Sequence, residues 1–244
     1  MEKIKIGSLS AGVSSFIACY LEKDTIDRYI YIDIDDHHPD NLRFLRDCEK
    51  VLGKKVEILK SEYGSVENCI RTAGVIKLPN HFAPCTAWLK KRVLKEFELK
   101  LQGYEITYVM GFDVDEKHRA KRLNIDKSNI KYQFPLIERE LTKEDAHAIC
   151  EKLGIKRPKM YDLGYSNNNC IGCVKGGMGY WNKIRIDFPD VFEKRARLER
   201  DIGYHLLKEC YLDELDENRG NMQSEIMQEC SLFCMLALNE ENKE

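Results

Sequence analysis

Two stretches of this chain combine residue types that do chemistry together. The run Gly164-Tyr165-Ser166-Asn167-Asn168-Asn169 leads into Cys170-Ile171-Gly172-Cys173. Cys-x-x-Cys spacing puts two thiolates within reach of one metal ion, one cluster or one disulfide. Near the N-terminus, Ser8-Leu9-Ser10-Ala11-Gly12-Val13-Ser14-Ser15 follows an apolar alternating stretch. Small residues in such a turn let backbone N–H groups approach an anion closely, and hydroxyls add donors. Ser8, Ser10, Gly12, Ser14 and Ser15 are therefore candidate nucleotide-phosphate contacts. The two stretches together point to a nucleotide site coupled to sulfur or metal chemistry.

Three further clusters stand where such chemistry would need them. An expected strand ends in Asp33-Ile34-Asp35-Asp36-His37-His38. Strand C-termini are where ligands bind in open α/β sheets, so Asp33 could orient a ribose or an adenine edge. Asp35, Asp36, His37 and His38 could also hold a divalent ion. Pro84-Cys85-Thr86-Ala87-Trp88-Leu89-Lys90-Lys91-Arg92 places a thiol ahead of a helix. A helix N-terminus and nearby cations favour the thiolate, and Lys90, about one turn further, could meet a sulfate or phosphate. Lys117, His118, Arg119, Lys121 and Arg122 follow another strand end. Among them Arg119 is the anion-binding candidate, because its planar fork matches phosphate or sulfate.

The elements that must position these residues follow from periodicity. Residues 3–9 alternate and run into the glycine turn, which predicts a first, central strand. Helices are expected over 15–22, 41–52, 65–72 and 86–101, and strands over 28–34, 55–59 and 105–110, the last closed by Gly111. Strands alternating with helices imply a doubly wound α/β fold, a parallel sheet with helices on both faces. Thr142-Lys143-Glu144-Asp145 has capping-box character before a helix over 146–153. Past Tyr161 the pattern changes to loops, the cysteine pair and a helix over 190–210. Residues 212–226 are acidic with weak periodicity and read as a mobile linker toward Glu229-Cys230-Ser231-Leu232-Phe233-Cys234. The expected division is a nucleotide-binding α/β domain at 1–165 and a C-terminal cysteine-bearing segment of helix, loop and mobile tail at 166–244.

Composition bounds the compartment and the partners. The chain has 244 residues, 43% of them apolar and 33% charged, which fits a globular protein. A formal charge of −2 gives no whole-chain pull toward nucleic acid or an anionic membrane. No apolar run approaches the roughly 20 residues that span a bilayer, and the N-terminus lacks a signal peptide's apolar region, so a cytoplasmic location is expected. Ten cysteines are many for a reducing compartment. Cys19, Cys48, Cys69 and Cys150 lie in helix-like apolar patterns and read as buried small side chains. Cys85, Cys170, Cys173, Cys230 and Cys234 lie beside turns or in paired spacings and carry the chemical reading.

The serine-glycine turn is neither a Walker loop nor a dinucleotide fingerprint, since no Gly-Lys-Ser/Thr follows and three glycines are absent. It resembles the PP-loop, with Ala11 for the first glycine and Ser14 for the aspartate of the ATP-cleaving form. Phe134-Pro135-Leu136, Leu141-Thr142-Lys143-Glu144-Asp145, Met160-Tyr161-Asp162-Leu163-Gly164-Tyr165 and Cys170-Ile171-Gly172-Cys173 follow in order. Over about residues 5–175 the chain resembles the adenylylsulfate and phosphoadenylylsulfate reductase family. That family also lacks the aspartate of the ATP-cleaving PP-loop. Leu141 replaces the family's tryptophan, Cys85-Thr86 keeps one thiol of its Cys-Cys pair, and Glu229-Cys230-Ser231-Leu232-Phe233 stands for its ending Glu-Cys-Gly-Leu-His.

The resemblance implies an adenine nucleotide α-hydrolase-like fold and an oxidoreductase acting on an adenylylated sulfate. Cys230 then stands at the thiol that attacks the sulfonyl sulfur, with Lys90 and Arg119 neutralising sulfate and phosphate oxygens. A thioredoxin- or glutaredoxin-like donor would release sulfite. Two ligand sets remain open. Cys85, Cys170 and Cys173 would hold a [4Fe–4S] cluster with Cys234 or an outside ligand as the fourth, which the resemblance favours. Alternatively Cys170, Cys173, Cys230 and Cys234 would form a closed zinc site. A different class of function is an ATP-dependent sulfurtransferase that thiolates a tRNA or DNA base through a three-cysteine cluster; only there is nucleic acid a partner. A homo-oligomer is compatible with either. A third reading, without catalysis, is a zinc-stabilised nucleotide sensor.

Overall fold

The computed structural model describes residues 2–76, 78, 83–123 and 130–223. Cys230 and Cys234 lie outside the described residues. Five strands, β1 (Glu2–Leu9), β2 (Arg28–Asp33), β3 (Val56–Lys60), β4 (Tyr104–Val109) and β5 (Ile130–Gln133), form one parallel sheet. The strand order is β3-β2-β1-β4-β5, so β1 is central as expected. The helices are α1 (Val13–Leu21), α2 (Asp40–Leu52), α3 (Val66–Ala73), α4 (Arg92–Leu99), α5 (Lys117–Leu123), α6 (Pro135–Glu138), α7 (Lys143–Lys152), α8 (Lys159–Asp162), α9 (Met178–Asp187) and α10 (Pro189–Ile202).

Successive residues of a strand face opposite sides of a sheet, and β2 divides accordingly. Tyr29 and Tyr31 pack with Phe16 and Ile17 of α1 and Phe44 and Leu45 of α2 in one core. Ile30 and Ile32 pack with Ile70 of α3 and Leu94 and Phe97 of α4 in the other. Both faces are therefore covered, which is why β2 reads as a continuous apolar run rather than an alternating one. The fold class is the doubly wound α/β arrangement expected from the sequence. The second core continues through Trp181 of α9 and Leu198 of α10 to Leu212 and Leu215, so the cysteine loop, α9, α10 and the stretch through Leu215 share the sheet's core.

Several local features differ from expectation. The helix expected over 86–101 opens as a π-helical turn, Thr86–Lys91, before α4. α9 and β5 carry no clear periodicity in the sequence. α10 ends at Ile202 because Gly203 adopts a left-handed cap at φ 71°, so it stops short of Cys210. Over residues 212–219, the described start of the expected linker is packed rather than free. Leu212 and Leu215 are buried, Arg185 donates to the Leu215 carbonyl at 2.7 Å, and Asn182 donates to the carbonyls of Asp216 at 2.9 Å and Arg219 at 2.8 Å. The capping box forms as expected, with Asp145 N–H donating to Thr142 Oγ1 at 3.1 Å and Thr142 N–H to Asp145 Oδ2 at 2.9 Å.

Candidate active site

The chain leaves β1 toward β2 on one side, while β4 pairs on the other, so the strand order reverses at the C-terminal ends of β1 and β4. That is the crevice where ligands bind in open α/β sheets. The Ser8–Ser15 stretch fills it. Ser15 Oγ donates to the Gly12 carbonyl at 2.8 Å and accepts from Ser10 N–H at 3.0 Å. Ser10 Oγ lies 3.0 Å from Ser15 Oγ and accepts from Gly12 N–H at 3.3 Å. The hydroxyls of Ser10 and Ser15 thus shape the loop from within. Ser8 and Ser14 are buried. α1 begins at extended Gly12 with no side-chain cap and no acidic residue in its first turn, which leaves its positive end uncompensated.

Ala11 takes the left-handed conformation at φ 58°, which for a non-glycine residue costs on the order of 1 kcal/mol. On the other wall of the crevice, a Cβ added to Gly111 would lie 2.4 Å from Ser15 Cα and 2.5 Å from Ser15 N. The backbone after β4 is packed against the start of α1, and only glycine fits between them.

The acidic and histidine run after β2 is divided among separate partners and, among the described residues, forms no set that could hold a divalent ion. Asp33 pairs with Lys60 at 2.8 Å. Asp36 is ion-paired with buried Arg195 of α10 and accepts from Val66 N–H at 2.6 Å. His37 Nδ1 shares a hydrogen bond of 2.6 Å with Tyr31 Oη, and His38 Nδ1 accepts from Asp40 N–H at 3.1 Å. Burial, then the charge of Lys90, pushes His37 down to about 3, so its imidazole is neutral at neutral pH.

Asp36 also ties down the cysteine loop. Its carbonyl accepts from Ile171 N–H at 2.8 Å, and the Arg195 it pairs with donates to the Gly172 carbonyl at 3.3 Å. Tyr180 Oη accepts from Cys173 N–H at 2.9 Å and donates to the Cys170 carbonyl at 3.2 Å. Burial raises the Tyr180 phenol well above its usual range, so it stays protonated and able to donate. Gly172 sits at φ 67°, where a Cβ would also meet Val191 at 2.6 Å.

Held this way, Cys170 and Cys173 line one small cavity with Cys85, Thr86, Lys90 and Lys175. Two thiols of the loop therefore meet a third from 85 positions earlier in the chain, and buried Lys90 joins them. Among the described residues no group of three or more His, Cys, Asp or Glu side chains is gathered tightly enough for a metal ion. The donor set lining the cavity is soft and cysteine-only, the type that holds an iron–sulfur cluster or zinc. Arg119 is buried, ion-paired with Glu116 and stacked over the Phe112 ring at 4.3 Å. Cys19, Cys48, Cys69 and Cys150 are buried in the cores as expected.

Sequence reasoning missed the link between the two halves of the site. Asn168 Nδ2 donates to the Ala11 carbonyl at 2.7 Å and to Asn41 Oδ1 at 2.8 Å. Asn41 in turn donates to Tyr31 Oη at 3.4 Å, next to His37. Two residues before Cys170, one amide thus fastens the cysteine loop to the Ser8–Ser15 turn. The signal available was the triple Asn167-Asn168-Asn169, whose amides can each bridge backbone and side chains.

No protein-family model matches the chain. Two curated Talin-A proteins of Dictyostelium discoideum are each 27% identical to it over 153 residues, 59% of this chain. The chain spans only 12% and 6% of those relatives' own lengths. Among solved structures, a phosphoadenylyl-sulfate reductase from Candida auris in complex with phosphate superposes with a TM-score of 0.52 at 14% identity, covering 69% of this chain and 82% of that one. The chain therefore has a phosphoadenylyl-sulfate reductase-like fold.

Proposed function

We propose that this chain is a sulfonucleotide reductase-like enzyme. It would bind an adenylylated sulfate in the crevice between the β1 and β4 ends and reduce it by thiol chemistry. The observation that carries the reading is the convergence of Cys85, Cys170 and Cys173 on one cavity with Lys90, tied by Asn168 to the Ser8–Ser15 turn. The backbone N–H groups at the start of α1 would hold phosphate oxygens. Lys90, and Arg119 after exchange of its Glu116 partner, would neutralise the sulfate and the departing phosphate. Cys230 would supply the nucleophile. Its thiolate forms a bond to the sulfonyl sulfur as the sulfur–oxygen bond to phosphate breaks, and the electron pair leaves with the nucleotide. One thiol of a dithiol donor then attacks Cys230 Sγ and displaces sulfite, and the donor's second thiol attacks its own sulfur in the resulting mixed disulfide, closing the donor disulfide and freeing the Cys230 thiolate. Cys85, Cys170 and Cys173 would hold the cluster, with Cys234 or an outside ligand as the fourth, and it would supply electrostatic polarisation beside the anion.

Cys230→Ser tests the assignment of roles. It is expected to abolish sulfite formation while leaving nucleotide affinity, iron content and melting temperature close to those of the wild type. Cys173→Ser is expected to do the reverse at the metal, releasing iron and lowering the melting temperature, because metal binding is coupled to folding. Loss of metal and stability in Cys230→Ser would instead make that residue a ligand. The sulfurtransferase alternative draws on one observation: the position after Cys85 is Thr86, so the cavity presents three thiols rather than four.

A further inference from the structure

Thr86 is the one hydroxyl-bearing residue among those lining the cysteine cavity, and the proposed reaction gives it no task. It is the first residue of the π-helical turn and directly follows Cys85. The residue is 1% exposed. Its backbone N–H is satisfied by the Ala83 carbonyl at 3.0 Å. Its Oγ1 is buried and has no hydrogen-bond partner. The cavity that Thr86 lines also carries Cys85, Cys170 and Cys173.

Leaving a buried hydroxyl unsatisfied costs about 1–3 kcal/mol, and such groups are uncommon in folded proteins. The neighbouring side chains offer no competing acceptor of oxygen type: the cavity's other lining residues are Ile34, Val66, Leu89 and Val174 and the cations Lys90 and Lys175. An acceptor must come from whatever the thiols hold. Thiolate and sulfide sulfurs are acceptors, and hydrogen bonds to them help set a cluster's reduction potential.

We infer that Thr86 is a positioning residue of the cysteine cavity, whose hydroxyl donates to a sulfur of the group that Cys85, Cys170 and Cys173 bind. This rests on the cluster reading of the cavity. The occupant is thereby an anionic sulfur-bearing centre, and Thr86 stabilises its more negative, reduced state.

The test compares full-length wild type, Thr86→Val and Thr86→Ser after anaerobic loading with ferrous iron and sulfide. The readouts are bound iron and sulfide, the midpoint potential and the melting temperature before and after loading. Valine keeps the shape of threonine and removes the donor; serine keeps the donor. Unloaded Thr86→Val is expected to melt at or above the wild type, since it removes an unsatisfied buried group. Once loaded, it is expected to show a more negative midpoint potential and a smaller gain in melting temperature. Thr86→Ser should stay near the wild type in both. A folded Thr86→Val that fails to retain iron also supports the inference. A loaded Thr86→Val with the wild-type potential and thermal gain overturns it while leaving the cluster reading intact. A folded wild type that takes up no iron or sulfide overturns the cluster reading and the inference together.

Discussion

Gly111→Ala is expected to lose about 3 kcal/mol of stability and most nucleotide affinity. The added Cβ would fall 2.4 Å from Ser15 Cα and 2.8 Å from Ser14 C, all backbone atoms. A flexible side chain could turn away from such a clash, but here either the loop after β4 or the start of α1 must move. Overpacking of this kind typically costs about 1–3 kcal/mol or more, and the movement disturbs the N–H groups proposed to hold the nucleotide's phosphate. Gly53→Ala is the matched control. Gly53 caps α2 at φ 71° with nothing within 4 Å of its Cβ position, so it should lose on the order of 1 kcal/mol to backbone strain and bind nucleotide normally. Urea unfolding beside calorimetric nucleotide titration separates the two variants. Equal stability and affinity in Gly111→Ala and wild type would contradict the close approach.

The second large effect is expected at Arg195, far in sequence from either motif. Its guanidinium is 3% exposed and joins Asp36 to the Gly172 carbonyl. Arg195→Leu leaves the Asp36 carboxylate without its counter-charge and the cysteine loop without one of its anchors. Removing one partner of a buried pair costs about 3–5 kcal/mol. Asp36 retains Val66 N–H as a donor, which places the expectation at the lower end, near 3 kcal/mol. Metal-loaded protein should also lose iron faster, because Gly172 lies between the two thiol residues. Arg195→Lys should recover only part of both, since an ammonium lacks the planar fork that serves two acceptors at once. Thermal unfolding and iron release into a chelator are the measurements, and unchanged values for both would show that Arg195 anchors neither the fold nor the cysteine loop.

The elements legible in the sequence were those with a strong local signal. β1, β2, α2 and β4 were legible because buried strands and amphipathic helices leave apolar runs or 3.6-residue periodicity, and each matches its expected range within about two residues. β5 was not, because four residues at a sheet edge, Ile-Lys-Tyr-Gln, give too short a pattern. The segment after Tyr211 looked like a linker because its side chains are acidic. Its burial comes from Leu212 and Leu215, while the charges are spent locally, Asp213 and Glu214 both pairing with Arg200 at 2.8 and 2.7 Å. The same limit applied at the site. Ser8–Ser15 and Cys170–Cys173 were visible as spacings, and the family resemblance brought Cys85 to them. Asn168, Arg195 and Gly111 act through contacts over long sequence separations, for which a single sequence holds no periodicity. Residue types alone offered Asp35, Asp36, His37 and His38 as divalent-ion ligands or as a solvated acidic loop, because they do not show that Arg195 pairs with Asp36 and Tyr31 with His37.

Reduction of an adenylylated sulfate by this fold, with its thiol cavity, is tested most directly by product analysis. The anaerobically metal-loaded full chain is supplied with adenylylsulfate or phosphoadenylylsulfate and a dithiol donor, with ATP in a parallel reaction. The expected result is sulfite and free nucleotide in equal amounts from one of the sulfonucleotides, no cleavage of ATP, and no sulfite from Cys230→Ser. Cleavage of ATP to AMP and pyrophosphate, with no sulfite from either sulfonucleotide, would contradict it.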